Sequence, residues 1–142
     1  MERLNKKGFT LVELLSVIVI LSVVILIATN AVLPAANNAK KEVLAGEANF
    51  VIQQAGPYAA KDGVTTSKCY SFQDLKDAGV VEKRDDAYHG SLLITIDDKG
   101  KTNYKVWLSN GTFMIDGVEN RVESSDVKAS GENASDTCGL SN

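Results

Sequence analysis

Residues 14–33 are twenty consecutive positions without a charged side chain, and one acid, Glu13, stands at their N-terminal edge. As a helix rising 1.5 Å per residue, the stretch would span about 30 Å, the thickness of a bilayer's hydrocarbon core. Few soluble folds would leave such a segment a place. The eight residues before Phe9 read MERLNKKG, so Arg3, Lys6 and Lys7 form a basic flank. That flank is expected on the cytoplasmic side and the remainder of the chain outside. From residue 34 onward, 16 Asp and Glu face 12 Lys and Arg, and the whole chain of 142 residues carries a net charge of -3. An acidic body with scattered lysines lacks the basic patch that phosphate neutralisation requires, so no nucleic-acid partner is expected. One His and two Cys leave little material for a metal site or for Cys/His catalysis. No enzyme activity, cofactor or metal is expected.

A plain single-pass anchor or an ordinary secretory signal would also explain the apolar run, and Thr29-Asn30-Ala31 offers a small-residue cleavage site. Three features sharpen the reading. Gly8 separates the basic flank from the apolar run, so a cut there leaves the whole apolar helix on the mature chain. Glu13 is an acid inside that helix. A carboxylate at the centre of a membrane helix costs about 2.5–3.5 kcal/mol on insertion scales, less near an end, and usually marks a function and a partner. Finally, a cut after Gly8 gives Phe9 a free α-amine, whose ordinary pKa of about 7.7–8.0 keeps it cationic at neutral pH. That amine could neutralise Glu13 of its own helix, four residues on, or Glu13 of a neighbouring copy. Only the second pairing would drive assembly.

The run Lys6-Lys7-Gly8-Phe9-Thr10-Leu11-Val12-Glu13 resembles the class III signal of type IV pilins and type II secretion pseudopilins. The resemblance implies cleavage by a prepilin peptidase between Gly8 and Phe9 and N-methylation of Phe9. It makes Glu13 the assembly glutamate, paired with the N-terminal amine of an adjacent subunit. Further along, it implies copies of the chain as partners, together with a membrane assembly platform and minor pilins. The chain would sit in the bilayer before assembly and in an extracellular pilus afterwards. Adhesion, twitching motility, aggregation and biofilm formation are the uses the family implies. A pseudopilin of a secretion or competence (DNA-uptake) machine is the alternative within the same superfamily. A membrane-anchored or secreted binding domain that forms no polymer is the alternative outside it.

Beyond the apolar run, Ala36, Ala39, Val43 and Phe50 lie on one arc at helical spacing, with Leu44, Ala48, Val51, Ile52 and Ala55 beside them. The helix is therefore expected to continue as an amphipathic segment. Pro34 removes a backbone donor and should kink or loosen it, and Gly56-Pro57 should end it. The spacing predicts a short helix over 71–78, with Ser71 and Asp74 as a capping box and Gly79 as the stop. Strands are expected at 91–97, 102–109 and 112–116. The first pair is joined by a turn at 98–100 and the second by a type I′ turn at Asn110-Gly111. Their apolar face is expected to hold Leu93, Val106, Trp107 or Leu108, Phe113 and Ile115. The region 123–142 is rich in Ser, Asp, Asn and Gly and should be irregular and exposed.

Cys69 and Cys138 are the only cysteines. Outside the membrane they could be bonded, tying the polar tail to the loop after the long helix at about 4 kcal/mol in the chain-entropy model, or stay free. The resemblance favours the bond, since many pilins clamp their C-terminal segment with a disulfide. His89 reads as an isolated loop residue. Asp85-Asp86 and Asp97-Asp98 read as solvated turns rather than cation ligands, and the Asn110 and Asn133 glycosylation patterns are weak. The expected fold is α+β and pilin-like, a long N-terminal helix packed on a three- to four-stranded antiparallel sheet. Its segments are a leader (1–8), a membrane and assembly helix (9–33), an amphipathic continuation (34–56) and a globular head (57–142). The head divides into an αβ-loop with a short helix (57–90), a β-meander (91–122) and the polar C-terminal region (123–142).

Overall fold

The computed structural model of the chain describes residues 6–82, 88–130 and 132–140, with side chains from Thr10 onward. The chain divides into two compact units, Met1–Asn38 and Ala39–Asn142. One helix, α1 (Lys6–Lys61), supplies the described backbone of the first unit and enters the second. The described elements that follow are β1 (Ser67–Ser71), α2 (Phe72–Asp77), β2 (His89–Ile96), β3 (Thr102–Ser109) and β4 (Phe113–Glu119). A single 3-10 turn (Ser124–Asp126) then leads into β5 (Val127–Ala129). The strands form one antiparallel sheet in the order β1-β2-β3-β4-β5. The α+β arrangement stands as expected, with five strands instead of three or four. The two additions are the short edge strands, which carry little alternation of their own: β1 is held by β2 and β5 by β4.

In the first unit, every side chain of residues 10–35 is solvent-exposed. Three of its hydroxyls each donate to the carbonyl one turn earlier: Ser16 to Val12, Ser22 to Ile18 and Thr29 to Ile25. These three hydroxyls thus find their partners on the helix's own backbone, as hydrocarbon surroundings would require. Among the described residues it is one helix long and apolar enough to cross a membrane. The helix assignment passes through Pro34 without a break.

In the second unit, α1 buries Leu44, Ala45, Ala48, Val51, Ile52, Ala55 and Ala59 against Leu92 and Ile94 of β2, Val106 and Leu108 of β3, and Phe113 and Ile115 of β4. Of the two arcs read from the sequence, only the second faces the sheet; Val43 and Phe50 remain 60% and 48% exposed. The expected stop at Gly56-Pro57 is wrong, because the helix runs one turn further, to Lys61. Two contacts draw it on. Ala59 is buried in the core, and Gly56 lets the Tyr104 hydroxyl close in, where a Cβ would sit 2.5 Å from that oxygen. The real stop is Gly63, at φ 79. Its N–H donates to the Ala60 carbonyl and the next N–H, of Val64, donates to Ala59, which together make a Schellman motif.

The short helix α2 has its capping box: Ser71 Oγ accepts from Asp74 N, and Asp74 Oδ2 accepts from Ser71 N. The β3–β4 turn departs from expectation. Gly111 has φ 88 while Asn110 does not have positive φ, so the turn is not type I′. Gly111 and Thr112 are its central residues, and Asn110 Oδ1 accepts from the N–H groups of Thr112 and Phe113 at 3.0 and 2.8 Å.

Candidate functional site

The N-terminal half of α1 carries the residues expected to serve processing and assembly. The backbone is helical from Lys6, so Gly8 and Phe9 lie in its first turn. Phe9 and Glu13 are four residues apart, on one face and about 6 Å apart along the axis. Glu13 is exposed among Leu11, Val12, Leu14 and Leu15, each more than 60% exposed. It makes no ion pair among the described residues.

The second unit holds no comparable chemical centre among its described residues, and its polar groups are structural. Asn49 on α1 makes a pair of hydrogen bonds to the backbone of Val122: its Oδ1 accepts from Val122 N at 2.9 Å and its Nδ2 donates to Val122 O at 2.8 Å. Asp62 accepts from Lys68 Nζ at 2.6 Å and from the Tyr70 hydroxyl at 2.7 Å. The hydrogen bonds from Lys68 and then Tyr70 hold its carboxyl below the ordinary 3.8. Lys68 is raised above 10.5, chiefly by its bond to Asp62. Tyr70 is raised by burial and then by the same carboxylate. His89 opens β2 rather than lying in a loop. It borders an open cleft of about 220 Å³ with Ser71, Phe72, Gln73 and Asp136. Asp97 serves its turn by accepting from the backbone N–H groups of Lys99 and Lys101. Asp85 and Asp86 lie outside the described residues.

Cys69 and Cys138 are bonded, with Cα atoms 6.0 Å apart. The bond belongs to a feature the sequence did not display. The tail forms a strap over the face of the sheet opposite α1, where Trp107, Ala134 and Cys138 are buried with Leu93, Met114 and Cys69 packed around them. Leu93 and Trp107 therefore sit on this second face, not on the core face. The expectation of an exposed, irregular tail holds for most of its described residues and fails at β5 and at Val127, Ala134 and Cys138, which are buried. Ser91 Oγ donates to the Ser135 carbonyl and accepts from Cys138 N, and Ser109 Oγ donates to the Glu132 carbonyl. Two buried serines on facing strands were the available signal, since a buried hydroxyl needs a partner.

Residues 3–29 match the family model described as the prokaryotic N-terminal methylation motif. No curated protein and no solved structure matches the chain. The match spans the basic flank, Gly8, Phe9, Glu13 and most of the apolar run. It supports a prepilin N-terminus of the kind shared by type IV pilins and pseudopilins, and with it a structural subunit processed by a prepilin peptidase and built into a pilus-like polymer.

Proposed function

We propose that this chain is a structural subunit of a type IV pilus. A prepilin peptidase cuts between Gly8 and Phe9 and N-methylates Phe9. Residues 9–33 then hold the subunit in the membrane, with the head outside, until the assembly platform and minor pilins add it to an extracellular fibre. The observation that carries this reading is Glu13, exposed on an apolar helix four residues after Phe9 inside the matched motif. A secondary amine at Phe9 stays cationic at neutral pH. The carboxylate of Glu13 is costly in hydrocarbon, about 2.5–3.5 kcal/mol at the centre of a membrane helix on insertion scales and less near an end. The amine of one copy against the acid of the next removes both costs and fixes the axial register of the new subunit. The exposed apolar surface of residues 10–33, and Val43 and Phe50 beyond it, is then covered by other copies instead of lipid or water. Adhesion, twitching motility and aggregation are uses such a fibre serves.

The test is mass spectrometry of surface material sheared from cells, together with Glu13→Ala. N-methylated Phe9 as the first residue, and loss of fibres with retention of the membrane pool in the variant, are expected. A mature chain beginning after residue 31, or normal fibres from Glu13→Ala, overturns the reading. Correct processing with material confined to the envelope moves the assignment to a pseudopilin of a secretion or competence machine.

A further inference from the structure

The β3–β4 turn contains the chain's one Asn-Gly pair, Asn110-Gly111. Glycine has no side chain to shield its nitrogen, so that nitrogen can attack the preceding Asn carboxamide. The Gly N–Cγ bond forms, the amide proton is lost and the carboxamide nitrogen leaves as ammonia. Water then opens the five-membered imide to aspartate or to isoaspartate. We propose that Asn110 is a latent deamidation site which the fold keeps closed through Ser109.

The geometry bears on both reacting atoms. The Gly111 N–H, whose loss activates the nucleophile, donates to Ser109 Oγ at 3.1 Å. Ser109 is fully buried, and its hydroxyl in turn donates to the Glu132 carbonyl of the strap at 3.0 Å, which fixes its lone pairs toward Gly111. On the electrophile, Asn110 Oδ1 accepts from Thr112 N and Phe113 N. Bringing Cγ onto the nitrogen means swinging the carboxamide off both donors. Those donors would stabilise charge on Oδ1 were the nitrogen free to attack, but its hydrogen is committed to Ser109. Asn110 N also donates to the Phe113 carbonyl at 3.2 Å, closing the turn from the other side. Ring closure therefore waits for local opening, and its rate scales with the open population. The consequence of conversion is structural: isoaspartate adds a methylene to the main chain at residue 110, in the turn that leads into Phe113, which is 4% exposed in the core.

The experiment uses the full chain in detergent micelles, incubated in mildly alkaline buffer with and without urea. The tryptic peptide 106–121 is followed for conversion of amide to acid and for isoaspartate. We expect the folded chain to convert at least about tenfold more slowly than the unfolded one, and the Gly111 amide to be protected from hydrogen exchange. Ser109→Ala, with the near-ultraviolet signal of Trp107 showing that it remains folded, should move the folded rate toward the unfolded rate. Equal rates in folded and unfolded wild-type chain overturn the proposal. So does a folded Ser109→Ala protein that converts no faster than wild type. If that variant does not fold, an unprotected Gly111 amide in the wild type overturns it equally, and a protected one upholds it.

Discussion

Gly90 shows how much one residue decides in the head. It sits at φ 150, and a Cβ there would overlap the Trp107 carbonyl oxygen, a backbone atom that cannot swing away. Gly90→Ala is expected to destabilise the head by about 2–4 kcal/mol in urea titrations followed by Trp107 fluorescence. Gly46, with nothing within 4 Å of its Cβ position, should accept alanine without loss. Asp62 supplies the pH dependence. Its carboxyl is held below 3.8 in the fold, so its contribution is present above that value and lost as pH falls through the lower folded value. Lys68 is raised above 10.5, so its share is full below that value and lost as pH rises through the folded value. The Tm difference between wild type and Asp62→Asn should therefore be constant through neutral pH and close in strong acid. A difference that persists unchanged into strong acid would show that the bridge is not its source.

Among the elements, the Gly63 stop and the Asn49 clamp govern how α1 is tied to the sheet. Asn49→Ala leaves the backbone N–H and C=O of Val122 without their partners, and about 2 kcal/mol of head stability should go with them in denaturant titrations. Gly63→Ala forces a Cβ into the left-handed cap and should cost about 1 kcal/mol. The sequence is readable where local chemistry is self-contained. The apolar run, the Ser71–Asp74 capping box and the central strands β2, β3 and β4 each carry their signal within a few residues. It misleads where tertiary contacts decide. Gly56-Pro57 has every local mark of a helix end, yet Ala59 and Tyr104 carry the helix past it, and the sufficient signal lies at Gly63. Asn110-Gly111 has the composition of one turn type and adopts another, because the Asn side chain caps the two following N–H groups. Leu93 and Trp107 fall on the face away from α1, and nothing local announces it, because an apolar residue looks the same whether it meets a helix or a strap. Gly8, Phe9 and Glu13 stand out in the chain because their meaning lies in linear spacing, which folding does not alter.

At the scale of the whole molecule, the disulfide makes the head depend on a bond to its own tail. Reducing Cys69–Cys138 should lower the stability of the head by up to about 4 kcal/mol. Trp107 should become more accessible to a water-soluble quencher as the strap loosens. A quenching curve unchanged on reduction would mean that Ser91 and Ser109 suffice to hold the strap. The bond also bears on what a stretched polymer would encounter. It spans 69 positions of sequence and encloses α2 and strands β2 to β5 in one covalent loop. A fully drawn-out chain reaches about 3.3–3.6 Å per residue, so roughly 230 Å of slack per subunit is locked away from mechanical load. A protease that nicks the backbone anywhere inside that loop leaves both fragments joined, so damage to a worn head need not release it.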